Sequence, residues 1–369
     1  MKKKFIITLL LLIIISIVNS YYGKYYLDSY SNYYIKEIIW FSTGLILIYL
    51  LSKININLIL NNSIYLYIFG IFLLIYTLIW GVNVNGSTSW IRIFGISFQP
   101  SEFMKIFLIL ILRYVTINYK LSDFKYIFIC LILTIIPSLL VFLEPDTGPI
   151  ISYIVIFISF IVIKKINKWY YIFSIFILLL CCSLFTYLYI YNRDYLINIF
   201  GSNILYRIDR LTSFINREGY QIETAIKSIS LSGIFGIKKR VYFPEAVTDF
   251  AITLLIANFG LFGLTIYLII YGLFIYYFSN LSKDKYLIKP CLNFIVIQSI
   301  INLLMNIGLF PIIGITYPLL SYGGSSCISI LLIIGIIYNM DNRDYSYNHH
   351  NNYIRKKGKK GMAHNFDLD

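Results

Sequence analysis

An all-α polytopic membrane protein of about ten transmembrane helices is the fold the sequence predicts, with both termini cytoplasmic and one large extracytoplasmic loop between helices 7 and 8. Three observations carry this expectation. Hydrophobic residues make up 59% of the 369 residues and charged residues only 13%, at a mean hydropathy of +0.76, a balance too apolar for a water-soluble domain. Apolar runs recur along the chain at close to the length a bilayer requires, roughly 17 to 25 residues. Lysine and arginine collect in alternate connections, as they do in short cytoplasmic loops.

The spans run, in order, over residues 5–18, 34–51, 64–80, 103–115, 126–142, 150–163, 169–191, 250–278, 287–310 and 327–338. The first follows Lys2-Lys3-Lys4 and resembles a signal peptide, but it ends in Asn19-Ser20-Tyr21-Tyr22 without a small-x-small cleavage site and is read as a retained helix. With the N-terminus inside, the inner connections hold Lys53, then Arg113, Lys120 and Lys125, then Lys164, Lys165 and Lys168, then Lys283, Lys285 and Lys289. The short outer ones hold little beyond Lys24, Lys36 and Arg92. Residues 1–340 thus form one transmembrane domain, and 341–369 a basic cytoplasmic tail without apolar period, read as disordered. The net charge of +14 follows these clusters, which are topology signals and not a nucleic-acid surface. Five cysteines, all in or beside apolar runs, show no metal or disulfide spacing.

The loop at 192–249 is much longer than the others and carries charges of both signs. Loops of this length are functional or disordered, and its Phe200, Tyr206, Phe214, Tyr220 and Phe243 argue against disorder.

Four outward segments concentrate polar and turn-forming residues. The first runs from Asn85 to Arg92 and on to Gln99-Pro100-Ser101-Glu102, where Pro100 suits a helix start and places Glu102 and Lys105 three apart on one face. They are either a self-neutralising pair or part of a site. The second, Glu144-Pro145-Asp146-Thr147-Gly148, sets two carboxylates in a tight turn between apolar helices, an expensive placement that is usually functional. In the third, Pro244-Glu245-Ala246-Val247-Thr248-Asp249-Phe250, Thr248 or Asp249 is either a helix N-cap or a reactive group. The fourth, from Pro311 through Ser321-Tyr322-Gly323-Gly324-Ser325-Ser326, has too many glycines and prolines to be helical, and non-helical backbone at membrane depth must line protein or a wet cavity.

Taken together, these four segments resemble the signature segments of the SEDS family (FtsW, RodA, SpoVE) of peptidoglycan glycosyltransferases, in its order and spacing, over nearly the whole chain. Tyr206-Arg207, Arg210 and Gly219-Tyr220-Gln221 resemble that family's large extracellular loop. The chain departs from the pattern at Ala257 and Asn258, where many members carry two glutamates, at Ser89, where many carry arginine, and in a thinned glycine segment around Gly233 and Gly236. A short N-terminus and modest tail lean slightly toward the elongation (rod-shape) type, while Arg210 to Phe214 and Pro244-Glu245-Ala246 lean toward the division type.

The resemblance implies polymerisation of lipid II into glycan at the outer face of the bacterial cytoplasmic (inner) membrane, with a class B penicillin-binding transpeptidase as partner beside the membrane lipids. The attacking sugar hydroxyl must lose a proton, which asks for one carboxylate base, assigned to Asp249. The pyrophosphate leaving group asks for cations, assigned to Lys105, Arg207 and Arg210. Glu102, Asp146, Gln221, Glu245, Thr248, Ser321 and Ser325 complete the expected substrate-binding set, and a single displacement inverts the anomeric centre. No cofactor is evident, no metal site is assigned, and dependence on a divalent cation is left open. The alternatives are a lipid II flippase and a non-catalytic scaffold that activates a transpeptidase.

The charge distribution makes a direct prediction. Cysteine placed at Asn203 is labelled by an impermeant maleimide in intact cells and cysteine at Asn351 is not; the reverse pattern overturns the topology.

Overall fold

A computed structural model describes residues 2–84, 87–93, 95–170, 219–236 and 241–340. The chain begins with helices α1 (Lys2–Gly23), α2 (Tyr33–Lys53), a short α3 (Ile56–Asn61) and α4 (Ser63–Trp80). Strands β1 (Val82–Val84), β2 (Ser87–Ile93) and β3 (Ile96–Phe98) follow, then α5 (Pro100–Asn118), α6 (Asp123–Leu143) and α7 (Gly148–Lys164). The later part holds α8 (Tyr220–Ser232), α9 (Ala251–Ser279), α10 (Lys285–Asn306) and α11 (Gly324–Met340). Nearly all of the span expected at 169–191, Arg207, Arg210 and the tail 341–369 lie outside the described residues.

The protein is a helical, multi-pass membrane protein. Helices α1, α2, α4, α6, α9 and α10 are long and apolar enough to cross a bilayer, and α7 and α11 are shorter apolar helices. Their outer faces are as apolar as their inner ones: Tyr65, Ile68, Phe72, Ile79 and Trp80 of α4 all stand exposed, as helices that meet lipid require. Helix α5 is the buried axis. Met104, Leu108, Ile109 and Leu112 are enclosed among α4, α6, α7 and α10. Helix α1 lies along α9, where Phe5 stacks on Phe274 and Phe278 at 5.5 and 6.0 Å between ring centres.

Several elements differ from the sequence expectation. Residues 82–98 form a three-stranded antiparallel sheet in the order β1-β2-β3, paired Val82 to Trp90 and Ile91 to Phe98, where only a polar loop was expected. The long loop contains α8. The span expected at 287–310 ends at Asn306, and Gly308 follows at φ 73°. The chain from 307 to 323 is non-helical, as its glycines and prolines required.

Broken backbone inside the bundle finds protein partners. Pro137 lies inside α6 and has no N–H to give; the Leu133 carbonyl one turn back instead accepts from Tyr67 Oη at 2.8 Å. Helix α9 is broken at Gly260 (φ 67°, ψ −168°). There the N–H groups of Leu261 and Phe262 donate to the carbonyls of Gly233 and Ile234 at 3.2 and 3.0 Å, so the end of α8 is stitched into the break. The approach is backbone to backbone: a Cβ at Gly260 would lie 2.1 Å from the Ile234 carbonyl oxygen, and one at Gly236 2.3 Å from that of Asn258.

Gly260→Ala therefore loses the clearance and sits in a conformation costing about 1 to 3 kcal/mol for a residue with a side chain. Its melting temperature in detergent drops clearly, whereas Gly272→Ala in the same helix, with open space around it, is neutral or mildly stabilising. Equal melting of the two variants overturns the stitch.

Candidate active site

Two groups of polar side chains form at the end of the bundle that carries the sheet. The first is built on the start of α5. Pro100 occupies the opening turn, and Glu102 and Lys105 form a buried ion pair with Lys105 Nζ 2.8 Å from Glu102 Oε1. Ser329 Oγ of α11 stands 3.5 Å from the other carboxylate oxygen. Ahead of the helix, Gln99 Nε2 donates to Asp146 Oδ2 at 2.7 Å, and the Gln99 N–H donates to Ser325 Oγ at 3.0 Å. The sequence-predicted Glu102, Lys105, Asp146 and Ser325 are thus brought together, and Gln99 is the link between them.

The turn after α6 adds Glu144, which is fully buried. It accepts a hydrogen bond from Thr77 Oγ1 of α4, and its carbonyl accepts from Ser87 Oγ of β2 at 2.6 Å. Burial, with a smaller push from Asp146, raises the Glu144 carboxyl to about 8. Burial and Glu102 raise Asp146 to about 6, against the Gln99 hydrogen bond and the Lys105 charge, which lower it.

The second group surrounds Asp249. Thr248 Oγ1 donates to Glu245 Oε2 at 2.6 Å, and Glu245 itself adopts φ 52°, a left-handed conformation that costs a non-glycine residue about 1 to 3 kcal/mol and that clusters at functional sites. The N–H of Phe250 turns back to the Glu245 carbonyl at 3.0 Å. Helix α9 starts at Ala251 with Phe250 in the cap position, where no side chain caps it. Part of the capping comes from α10. Asn306 Oδ1 of α10 accepts from the N–H and the Oγ1 of Thr253 at 3.0 and 2.8 Å.

That asparagine belongs to a stripe. Gln298, Asn302 and Asn306 recur every fourth residue on one face of α10. Asn302 and Asn306 each donate to the Asp249 carbonyl, at 2.9 and 3.0 Å. Asn302 also donates to the Ile315 carbonyl at 2.6 Å, and Gln298 to that of Thr316 at 2.9 Å. Sequence reasoning passed over these amides, although three amides at helical spacing in an apolar span were a visible signal.

The glycine-rich segment joins the two groups. Ser325 holds Gln99, and the Tyr322 N–H donates to the Val247 carbonyl at 2.9 Å. Ser321 serves the turn, its Oγ accepting from the Tyr317 N–H at 2.8 Å. Gln221 stands on the first turn of α8, its carbonyl 3.2 Å from Thr224 Oγ1, and among the described residues no side-chain bond ties it to either group. At the departures from the family pattern, Ala257 is buried in the apolar packing beside Phe243 and Phe250, Asn258 Nδ2 turns back to the Leu254 carbonyl at 2.8 Å, and Ser89 pairs with Ser87. Among the described residues no three His, Cys, Asp or Glu side chains gather as a metal set.

A raised carboxyl makes the folded state the stronger proton binder, so its contribution to stability is present at low pH and lost as pH rises from the unfolded value to the folded one. For Glu144 that window runs from 4.5 to about 8, and for Asp146 from 3.8 to about 6. The melting temperature of the wild type falls across it, and Glu144→Gln, which keeps an acceptor for Thr77, flattens the part above about pH 6. An unchanged slope in the variant overturns the assignment.

Known proteins share this build. The family profile described as "Cell cycle protein" (FtsW, RodA, SpoVE) matches residues 2–346. The chain is 30% identical over 350 residues to the probable peptidoglycan glycosyltransferase FtsW of Coxiella burnetii, covering 84% of this chain and 88% of the relative. It is 28% identical to stage V sporulation protein E of Bacillus subtilis, covering 91% and 95%. Among solved structures, a chain of a peptidoglycan synthase complex superposes with a TM-score of 0.78 at 20% identity, over 92% of this chain and 97% of that one. Rod shape determining protein RodA of Thermus thermophilus superposes with 0.66 at 19% identity, over 92% and 95%. With the motif order, the helical fold and the profile all in agreement, this chain belongs to the FtsW/RodA/SpoVE family.

Proposed function

We propose that this protein is a peptidoglycan glycosyltransferase that polymerises lipid II into glycan strands, with release of the polyprenyl pyrophosphate. The observation that carries the reading is the treatment of Asp249. Its backbone carbonyl is clamped by two asparagines, and Asn306 also holds the first turn of the helix that follows, so the segment that carries the carboxylate is fixed from α10. A carboxylate held this way suits a general base for the acceptor hydroxyl.

The ion pair of Glu102 and Lys105 supports a site for the leaving group. Lys105 offers its remaining ammonium protons to phosphate oxygens, while Glu102 holds it in place. Arg207 and Arg210 are proposed to add charge from the long loop. Because pyrophosphate leaves readily, one base suffices, without the second carboxyl acid of glycoside hydrolysis, and the displacement inverts the anomeric carbon. The proposed setting is the outer face of the cytoplasmic membrane, beside a class B transpeptidase that cross-links the product.

Asp249→Asn is the test. The variant keeps the size and the backbone clamp, so it melts like the wild type, while polymer formed from fluorescent lipid II by the purified protein with its transpeptidase drops roughly 100-fold to 10,000-fold. Near-normal glycan from the variant sinks the base assignment. Lipid II movement across liposomes without any polymer from the wild type identifies a flippase, and neither activity a scaffold.

A further inference from the structure

Glu37 is a buried carboxylate outside the site described above. It sits on the second turn of α2 at 2% exposure, and the ion pairs formed among the described residues, Lys105 with Glu102 and Arg113 with Asp284, do not include it. An uncompensated carboxylate inside a membrane bundle is costly and is retained where it does something.

Its surroundings are oxygen-rich. Ser16 Oγ of α1 hydrogen-bonds Glu37 Oε1 and also stands 3.0 Å from the Leu320 carbonyl oxygen. One hydroxyl has one proton to give, so these two acceptors are not both served by Ser16. Among the described residues Asn19 Oδ1 is buried without a partner, and Glu37 Oε2 and Ser20 Oγ have none in good hydrogen-bond geometry. Residues 16, 19 and 20 share one face of α1, and the Ser20 hydroxyl faces the Glu37 carboxylate. The Leu320 carbonyl belongs to the non-helical chain that leads into α11.

We propose that Glu37 is the centre of a binding site for one monovalent cation, a sodium ion or a proton, between α1, α2 and the chain that leads into α11. Either supplies the one positive charge that the buried carboxylate lacks. Either also resolves the double demand on Ser16: a proton on Glu37 donates to Ser16, which then donates to Leu320, and a sodium ion draws on the unpartnered oxygens. Carboxylate and unwound backbone carbonyls are the donors that sodium- and proton-coupled membrane proteins use. The titratable groups facing Glu37 are Tyr322 and Cys327, both neutral when protonated; α1 presents only Ser16, Asn19 and Ser20.

The site reports to the catalytic segment. Leu320 immediately precedes the stretch in which Tyr322 holds Val247 and Ser325 holds Gln99, and Asn19 Nδ2 donates to the Ala251 carbonyl at 2.9 Å, at the start of α9. Occupancy therefore sets the position of the chain between the two halves of the active site.

The test uses full-length protein in detergent and reads melting temperature, so it stands whether or not the polymerase reading does. Wild type and Glu37→Gln are melted in sodium chloride against choline chloride at equal ionic strength, and in choline chloride from about pH 5 to pH 9. A sodium-dependent rise in the wild type that Glu37→Gln lacks identifies a sodium site. A fall with rising pH that is larger in the wild type than in Glu37→Gln identifies a proton site. A variant that keeps the wild-type response to both sodium and pH overturns the proposal. Glu37→Met replaces the amide variant if that one does not fold. Should neither fold, a Glu144→Gln protein indifferent to sodium and, above about pH 6 where Asp146 no longer titrates, to pH overturns it equally, and one that responds to either there supports it.

Discussion

Backbone that leaves the helix inside a lipid-facing bundle finds no water to bind, so its carbonyls and amides must be met by protein. In this chain the amide stripe of Gln298, Asn302 and Asn306 meets them. One face of α10 holds the carbonyls of Asp249, Ile315 and Thr316 and caps α9 through Thr253. The two irregular segments that form the site, residues 241–250 and 311–323, both depend on it. Neutral amides suit the task because each offers donors and an acceptor without the desolvation cost of a charge.

The same economy runs through the electrostatics. Lys105 and Glu102 are both buried and hold each other, a pair whose net worth to stability is small but whose separation is expensive. Asp146 accepts from Gln99; Glu144 accepts from Thr77 through one carboxylate oxygen and from the sheet through its backbone carbonyl, while among the described residues its other carboxylate oxygen has no partner. Burial, and after it the nearness of the acids to one another, shifts Glu144 and Asp146 upward. The Lys105 ammonium is thus already oriented by a carboxylate, beside acids that hold their protons more readily than in water.

Much of this was legible in the sequence, and the remainder has physical reasons for having been hidden. The apolar spans, the start of α5 at Pro100, the pairing of Glu102 with Lys105 and the unwound stretch before α11 follow from local rules that act within a few residues. The sheet did not, because strands of three, seven and three residues are too short for an alternating pattern to stand out. Nor did the capping of α9 by Asn306, since a cap supplied from another helix leaves no local signature. The break at Gly260 looked like any glycine in a helix; only the arrival of Gly233 and Ile234 gives it meaning.

That stitch has a consequence for how the chain can diverge or be engineered. Gly236 faces the Asn258 carbonyl and Gly260 faces the Ile234 carbonyl, so the two glycines share one clearance although they lie on different elements. A side chain gained at one position is not relieved by a change at the other, and both stay locked together through neutral drift. Downstream, Asp249 is pinned to α10. The stretch between Gly236 and Asp249 is therefore tethered at both ends, and a tag or reporter inserted there pulls on both anchors.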